Sequence, residues 1–275
     1  MTYRELCARL SAAHIDNADW DAACLIGHFC GTDLLSLRAD PDKCYHSDAL
    51  DAAVLRREGR EPLQYIIGEW DFYRQTYTVS PDCLIPRPDT EILVEEAVKR
   101  LPRDAYFADL CTGSGCIAVS TLAERPDTRA AALEKFPQTL AIAAHNAKRN
   151  GVDARFDGVL CDVLEQPPYP DACFDAILSN PPYIATHELD ALSPEVHAEP
   201  QAALDGGDDG LVFYRAILQN WTRTLKKDGF MLFEIGYDQG DALVRLAKEF
   251  GFDATVKRDL GGNDRVVHLK FSRKD

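Results

Sequence analysis

The sequence lacks any long apolar run and any excess of positive charge. No stretch of its 275 residues approaches the roughly 18 consecutive apolar residues of a membrane-spanning helix. Lysine and arginine number 30 against 45 aspartates and glutamates, which gives a net charge of −15. Because an acidic surface repels phosphate backbones, a general DNA- or RNA-binding protein is disfavoured, whereas a basic protein partner would be attracted.

The nine cysteines lack the spacing of a disulfide framework or a metal site. Their number is odd, and no C-x-x-C pair occurs. Cys24 and His28 lie four residues apart on a predicted helix, with Cys30 nearby, but no fourth ligand is apparent, so we predict no metal site. The N-terminus also lacks a signal-peptide pattern. We therefore expect free thiols in a cytoplasmic protein.

Residues 1–68 are predicted to form a small helical domain. Apolar residues recur there at close to helical spacing, and a third helix is predicted over 47–58. Asp16 or Asn17 is the expected N-cap of the second helix.

Residues 69–90 are predicted to form a hairpin or linker. The chain around them is rich in β-branched and aromatic residues and is broken at Gly68. The segment "SPDCLIPRPDTE" contains three prolines and predicts an ordered loop. Thr90 or Asp89 is expected to cap the helix that begins near Glu91.

Strand-like and helix-like segments alternate through the third predicted domain, 91–275. Such alternation, with apolar strands, predicts an α/β fold with a mostly parallel sheet covered on both faces. The last two strands are joined only by "RDLGGND" and are expected to form an antiparallel edge hairpin. The predicted strands cover 106–109, 129–133, 154–160, 174–179, 229–235, 253–257 and 265–271, and the predicted helices cover 116–125, 137–150, 211–226 and 239–250.

A glycine-rich turn follows the first of these strands in "FADLCTGSGCIAVS" (107–120). Gly113 and Gly115 allow the backbone to approach a ligand closely. The pattern is not the G-x-G-x-x-G of dinucleotide-binding proteins. Asp109 at the strand end would repel a pyrophosphate and attract a cation, which favours a ligand with an ammonium or sulfonium group.

Two further acidic residues follow the next two strands. Glu134 lies at about the spacing where an acidic side chain meets a ribose diol, and Asp162 could accept the exocyclic amine of adenine. The three acids together indicate a nucleoside with a positively charged tail, a description that S-adenosylmethionine fits. The alternative is that Gly113 and Gly115 merely form a tight turn.

The fourth strand ends at two prolines in "ILSNPPYI" (177–184). The Asn180 side-chain oxygen and the Pro181 carbonyl could accept the two hydrogens of a planar NH₂ group, and Tyr183 offers it an aromatic face. Because proline fixes φ, both acceptors would be pre-placed beside the glycine turn. The alternative is a strand terminator with an asparagine turn residue.

These motifs resemble those of class I S-adenosylmethionine-dependent methyltransferases. The set as a whole resembles the release-factor glutamine methyltransferases, the HemK family, over nearly the whole chain. The resemblance implies a Rossmann-like, seven-stranded methyltransferase sheet and a helical N-terminal domain that docks the substrate. The motifs are "LIPRPDTEILVE" (84–95), "DLCTGSGCIA" (109–118), "SNPPYI" (179–184), "EPQAALDGGDDGL" (199–211), "FEIG" (233–236) and "DLGGNDRVV" (259–267).

The resemblance also implies an activity linked to translation termination. Family members methylate the side-chain amide nitrogen of the glutamine in the Gly-Gly-Gln loop of class I peptide chain release factors. We therefore expect a release factor as partner, no nucleic-acid substrate, no membrane association and a monomeric enzyme. Carried over to this sequence, the cofactor residues are Asp109, Cys111, Thr112, Gly113, Ser114, Gly115, Glu134, Asp162, Val163 and Asn180.

The expected substrate and catalytic residues come from the proline turn and the loop before residue 91. Asn180, Pro181 and Tyr183 are the expected catalytic residues, and Arg87, Asn180, Pro181, Pro182 and Tyr183 are the expected substrate contacts. Pro88 and Glu91 are expected near the same cleft. The sequence departs from the family pattern at Cys111, where glycine is usual, and at Glu134, where aspartate is commoner.

Two other functions are weighed against a protein methyltransferase. An adenine-N6 methyltransferase that flips bases out of nucleic acid would share the Asn-Pro-Pro-Tyr turn, but it predicts a basic groove that this composition disfavours. A non-catalytic module that binds a nucleoside or a release factor would keep the binding residues and transfer no methyl group.

Overall fold

The computed structural model describes residues 1–272, which form two compact units. Unit 1 comprises Met1–Glu69 and Leu192–Glu199, and unit 2 comprises the rest of the described chain. The two units differ from the predicted domains in two places. The predicted hairpin and linker belong to unit 2 from Trp70 onward, and Leu192–Glu199, predicted as part of the third domain, belongs to unit 1. The last three residues of that predicted domain lie outside the described part. No helix within residues 1–272 has the length and apolarity to cross a bilayer.

Unit 1 is helical, as predicted. The Thr2 hydroxyl accepts from the Glu5 N–H at 3.1 Å and the Glu5 carboxylate accepts from the Thr2 N–H at 2.8 Å, which caps the first helix. Ser47 caps the predicted third helix, whereas Asn17 precedes the second without a side-chain bond. The helices are α1 (Tyr3–Ala12), α2 (Ala18–Cys30), α3 (Leu34–Ala39), α4 (Asp48–Glu58), α5 (Leu63–Ile67) and, from the later segment, α9 (Pro194–His197).

A buried ionic cluster holds Leu192–Glu199 within unit 1. The Arg57 guanidinium, 7% exposed, donates to Asp21 at 2.7 Å and to Glu195 at 3.0 Å. Arg60 donates to the second oxygen of Glu195 at 2.7 Å. Because Arg57 and Glu195 are 138 residues apart in sequence, no local pattern could predict this pairing.

Unit 2 contains a seven-stranded sheet of order β5-β4-β3-β6-β7-β9-β8, in which the five strands from the β5 edge to β7 run parallel. β9 runs antiparallel to β7 and β8, so the predicted edge hairpin is confirmed. A separate hairpin pairs β1 with β2. The strands are β1 (Glu69–Phe72), β2 (Gln75–Thr78), β3 (Tyr106–Leu110), β4 (Arg129–Glu134), β5 (Phe156–Leu160), β6 (Phe174–Ser179), β7 (Leu225–Glu234), β8 (Phe252–Arg258) and β9 (Asp264–Phe271).

Helices cover the sheet, and buried apolar residues form two core clusters that share its strands. The predicted helix over 211–226 is not a continuous α-helix: a short α-helix is followed by a π-helical turn at Ile217–Trp221 and a 3₁₀ turn at Thr222–Thr224. In the π-helical turn, Trp221 is fully buried and its indole N–H donates to the Val163 carbonyl at 2.9 Å. The helices are α6 (Glu91–Arg100), α7 (Cys116–Glu124), α8 (Pro137–Arg149), α10 (Val212–Ala216) and α11 (Gly240–Glu249).

The strand order determines where a ligand can bind. β3 pairs with β4 on one side and with β6 on the other, so the chain reverses its direction of winding between β3 and β6. Open α/β sheets bind ligands at the carboxyl ends of strands at such a switch point. Asp109, Glu134 and Asn180 lie at or next to those ends.

We expect the buried Arg57 pairing to contribute far more stability than an exposed ion pair in the same unit. Arg57→Met should lower the free energy of unfolding by about 3 kcal/mol, because it leaves the Asp21 and Glu195 carboxylates without their shared cation. Arg4→Met breaks the Arg4–Asp42 pair, 68% exposed at both residues, and should change the free energy of unfolding far less than Arg57→Met does. Urea titrations measure both values, and equal losses would contradict this account.

Candidate active site

A cavity of about 380 Å³ in unit 2 opens at the carboxyl ends of β3, β4 and β6. Most predicted site residues line it, whereas Asp109, Gly115, Pro181 and Tyr183 do not. Those that line it are Arg87, Cys111, Thr112, Gly113, Ser114, Glu134, Asp162, Val163, Asn180 and Pro182.

The glycine turn requires left-handed backbone at three positions. Gly113 and Gly115 have φ values of 56° and 82°, and Cys111 has φ 59°. A Cβ at Gly115 would also lie 3.2 Å from Cα and Cβ of Ala143 on α8. Because a side chain in this region costs about 1–2 kcal/mol, the structure gives a physical reason why glycine is usual at the position of Cys111.

Asp109 lies behind the glycine turn and not on the cavity wall. Its Oδ2 accepts from the Thr112 hydroxyl at 2.6 Å and from the Ala118 N–H at 3.1 Å. Its buried Oδ1 has no hydrogen-bond partner within residues 1–272. Burial raises the pKa of Asp109 to about 7, although both hydrogen bonds oppose the shift. The side chain therefore anchors the turn to α7, and a contact with a cation remains a prediction.

Glu134 ends β4 and is fixed by backbone donors. Oε2 accepts from the Gly113 N–H at 3.1 Å, and Oε1 accepts from the N–H groups of Lys135 and Phe136 at 2.8 and 3.1 Å. Burial raises the pKa of Glu134, and these bonds oppose the shift. Because a carboxylate offers about four lone-pair directions, it can also accept from hydroxyl groups of a ligand.

Asp162 follows β5 and is paired. Its carboxylate contacts Lys135 Nζ at 2.8 Å and accepts from the Leu164 N–H at 3.0 Å. Burial acts in the opposite direction, but the bonds with Lys135 and Leu164 lower the pKa of Asp162 below its usual value. Asp162 is therefore an ionised acceptor on the cavity wall at neutral pH.

Lys135 and Phe136 also line the cavity, although neither was predicted as a site residue. The Phe136 ring is 42% exposed although it is a large apolar group. Phe136 lies two positions after Glu134, the acid that ends β4, and this spacing could have indicated that its ring lies in the site. The proline-rich loop also reaches the wall, through Cys83, Leu84 and Pro86.

The Asn-Pro-Pro-Tyr turn is held by backbone bonds to the segment after it. The Ile184 N–H donates to the Leu204 carbonyl at 3.0 Å, and the Gly206 N–H donates to the Ile184 carbonyl at 2.8 Å. The Tyr183 carbonyl accepts from Gln239 Nε2 at 2.8 Å. A Cβ at Gly206 would lie 2.8 Å from Tyr183 Cα, so glycine in the "LDGGDDG" motif permits this close packing.

The side chains of the turn are connected to the loop before α6. Asn180 Nδ2 donates to Thr90 Oγ1 at 3.3 Å. Thr90 or Asp89 was expected to cap α6; Thr90 is at the N-cap position, but its side chain makes no cap bond, and its hydroxyl accepts from Asn180. The Tyr183 hydroxyl lies 3.5 Å from Glu234 Oε1. Glu91, expected near the cleft, instead accepts from the Tyr73 N–H at 2.8 Å.

This chain is similar to known proteins both in its helical N-terminal part and in its α/β part. Residues 2–68 match the family model described as PrmC N-terminal domain, and residues 88–219 match that of the methyltransferase small domain. A release factor glutamine methyltransferase from Geobacter sulfurreducens is 40% identical over 264 residues, 94% of this chain and 91% of the relative. The protein of that name from Cereibacter sphaeroides is 41% identical over 268 residues, 96% of this chain and 95% of the relative.

The chain belongs to the release factor glutamine methyltransferase family. The resemblance found in the sequence motifs is thereby confirmed. A solved ribosomal protein L11 methylase from Lactobacillus delbrueckii superposes with a TM-score of 0.51 at 19% identity, covering 71% of this chain and 84% of that protein. This likeness confirms the predicted Rossmann-like methyltransferase sheet.

Asp109 should make the free energy of unfolding of this protein depend on pH. Its pKa is about 7 in the folded chain against about 3.9 in an unfolded one, so the folded state retains a proton that the unfolded state loses. Between about pH 5 and about pH 7 the free energy of unfolding should fall by about 1 kcal/mol per pH unit from this group. Urea titrations should show that Asp109→Asn abolishes this part of the slope. Parallel slopes for wild type and variant would contradict the assigned burial.

Proposed function

We propose that this protein transfers a methyl group from S-adenosylmethionine to the side-chain amide nitrogen of the glutamine in the Gly-Gly-Gln motif of class I peptide chain release factors. The observation that carries the proposal is that Asn180 lines the same cavity as Gly113, Glu134 and Asp162. An acceptor for an NH₂ group and a set of nucleoside contacts therefore share one pocket. The relatives are release factor glutamine methyltransferases, and their name points to the same substrate.

The residues present fit the adenosine part of S-adenosylmethionine. The Glu134 carboxylate, fixed by three N–H donors, would accept the ribose hydroxyls. Asp162 would accept the adenine amine, and the exposed face of Phe136 would pack on the adenine ring. A cavity of about 380 Å³ lies within the usual range for small-molecule sites.

The glycine turn fits the charged end of the same molecule. Ser114 lines the cavity there, and its buried Oγ has no partner within the described chain. Groups of this kind are expected where a ligand completes the hydrogen bonding. When bound, S-adenosylmethionine supplies an electrophilic methyl group on a sulfonium sulfur.

The proline turn would supply the orientation that the reaction needs. An amide nitrogen is a poor nucleophile, because its lone pair is delocalised. Asn180 Oδ1 and the Pro181 carbonyl would each accept one N–H of the glutamine and aim its nitrogen at the methyl carbon. Most of the rate enhancement would come from this orientation and from the fixed dipoles.

Proton loss requires no strong base in this scheme. The bound cofactor would supply the methyl group and keep the electron pair of the broken C–S bond. The glutamine nitrogen, cationic after the transfer, would release its extra proton to solvent. Tyr183 is absent from the cavity wall, so its contact with the planar amide remains a prediction.

The release factor would be attracted by the negative charge of the protein and would dock on unit 1. The net charge of −15 favours a basic protein surface and disfavours the adenine-N6 methyltransferase alternative, which must hold a nucleic acid. Residues 2–68 match the PrmC N-terminal domain model, and we propose that this unit docks the release factor. A monomeric, cytoplasmic enzyme remains our prediction.

Methyl-labelled cofactor tests the proposed function directly. Incubation with a release factor, followed by mass spectrometry, should place the label on the Gly-Gly-Gln glutamine, because Asn180 is positioned for an NH₂ group. Asn180→Ala should lower kcat by roughly 100-fold or more, as expected for loss of a fixed dipole at the reacting group, with little change in the Kd for cofactor. Label on an RNA or DNA control alone would support the adenine alternative. Cofactor binding with no transfer to either acceptor would support the non-catalytic module.

A further inference from the structure

Asn146 on α8 is a fully buried polar side chain that does not line the cavity. Its Oδ1 accepts from the Thr78 N–H at 2.8 Å. Its Nδ2 donates to the Thr78 carbonyl at 3.0 Å and to the Ser114 carbonyl at 2.9 Å. Because a carboxamide nitrogen carries two hydrogens, both are used. Asn146 therefore connects the end of β2 to the glycine turn from outside the cavity.

The backbone of Thr78 fixes which way the Asn146 carboxamide points. A backbone N–H can only donate, and a backbone carbonyl can only accept. The reverse orientation of Asn146 would place Oδ1 against the Thr78 carbonyl and Nδ2 against the Thr78 N–H, and both buried contacts would be lost. The second hydrogen of Nδ2 is thereby directed at the Ser114 carbonyl.

The bond to Ser114 holds one peptide group of the glycine turn. The Ser114 carbonyl and the Gly115 N–H belong to the same planar peptide unit. The Gly115 N–H donates to the Thr112 carbonyl at 2.8 Å, so both ends of this unit are fixed. Ser114 itself lines the cavity, and a rotation of this peptide would therefore change the cavity wall.

The β1–β2 hairpin is bonded to both helices that lie next to the glycine turn. The hydroxyl of Tyr77 on β2 is hydrogen-bonded to Ser120 Oγ at 2.6 Å, on the helix α7 that follows the turn. Thr139 on α8 donates to the Asp82 carbonyl, after β2, at 2.5 Å. The hairpin has no part in the proposed chemistry, and these bonds give it a role as a support for the turn.

We propose that Asn146 is a positioning residue that holds the Ser114–Gly115 peptide in the conformation that receives the amino-acid end of S-adenosylmethionine. The inference rests on the proposed function, in which the glycine turn takes that end, and it adds the residue that prepares the turn. A turn that is held before binding need not be ordered by the ligand, so its contribution to affinity is larger. The adenosine end would meet Glu134 and Asp162 and should depend on Asn146 much less.

Two ligands that differ in the amino-acid tail separate this role from a general effect on stability. S-adenosylhomocysteine carries the tail, whereas methylthioadenosine has a methyl group in its place. Asn146→Ala should raise the Kd for S-adenosylhomocysteine by roughly 10-fold or more, because the ligand must then order the turn. The Kd for methylthioadenosine should stay within about threefold, and this retained binding verifies that the variant folds. Calorimetry measures both values.

Asn150→Ala is the matched control. Asn150 directly follows α8, and its Nδ2 donates to the Thr76 carbonyl of the same hairpin at 3.2 Å and to the Asn146 carbonyl at 3.0 Å. Within residues 1–272 it makes no hydrogen bond to the glycine turn. Its substitution should therefore leave the Kd values of both ligands within about threefold of wild type.

Methylation kinetics give a second readout for the same pair of variants. Asn146→Ala should raise KM for S-adenosylmethionine, whereas kcat at saturating cofactor should stay within about threefold of wild type, because the proline turn is held by other contacts. Asn150→Ala should change neither constant by more than about threefold. A fall in kcat without a change in KM would contradict a role at the cofactor.

Nuclear magnetic resonance of the wild-type protein with isotope-labelled asparagine tests the contact without a substitution. S-adenosylhomocysteine should shift the side-chain amide signals of Asn146, because one of its hydrogens is bonded to the turn that the tail contacts. Methylthioadenosine should leave these signals in place, and the Asn150 signals should move with neither ligand.

The outcomes distinguish this inference from the proposed function. Equal losses of affinity for the two ligands in Asn146→Ala, equal effects of Asn146→Ala and Asn150→Ala, or Asn146 signals that S-adenosylhomocysteine does not move would overturn the positioning role. Methylation of the glutamine by wild type would still stand in each of these cases. Absence of binding of both ligands to wild type would overturn the proposed function and this inference with it.

Discussion

The fixed backbone of the Asn180–Tyr183 turn is the constraint on which the rest of the site depends. Its two buried prolines have fixed φ angles, and three hydrogen bonds of the Tyr183 and Ile184 backbone tie the end of the turn to residues 204–206 and to Gln239. In the proposed scheme the amide nitrogen loses its proton only after the transfer, so the protein contributes orientation and not a strong base. A turn that could relax would lose the orientation that makes a planar nitrogen reactive.

The sheet topology brings this turn to the proposed cofactor residues. Since β3 pairs with both β4 and β6, the glycine turn, Glu134 and Asn180 emerge at neighbouring strand ends although they are far apart in sequence. Glu134 contributes twice, because it accepts from Gly113 and also faces the cavity. The buried Asp109 connects the same turn to α7. The hydrogen bonds of Glu134 and Asp109 that stabilise the fold here therefore also shape the cavity wall.

Much of this organisation follows from local sequence patterns, and the remainder depends on distant partners. The apolar strands and the consecutive prolines after Ser179 are local signals, so the strand positions and the turn were predicted. The assignment of Leu192–Glu199 to unit 1 depends on Glu195 meeting Arg57, which no local period encodes. Thr90 has the sequence position of a helix cap, yet its hydroxyl bonds to Asn180, 90 residues later. Phe136 was missed because an aromatic residue at a helix start looks like an ordinary core residue.

The most direct test is a crystal structure of the protein with S-adenosylhomocysteine and a Gly-Gly-Gln peptide. The expected result places the glutamine amide nitrogen within about 3.2 Å of both Asn180 Oδ1 and the Pro181 carbonyl oxygen. The sulfur should face the nitrogen from above or below the plane of the glutamine amide, where the nitrogen lone pair lies, with Asn180 Nδ2 still on Thr90. A glutamine amide bound away from the turn, or an Asn180 carboxamide that turns its nitrogen to the substrate, would contradict the account.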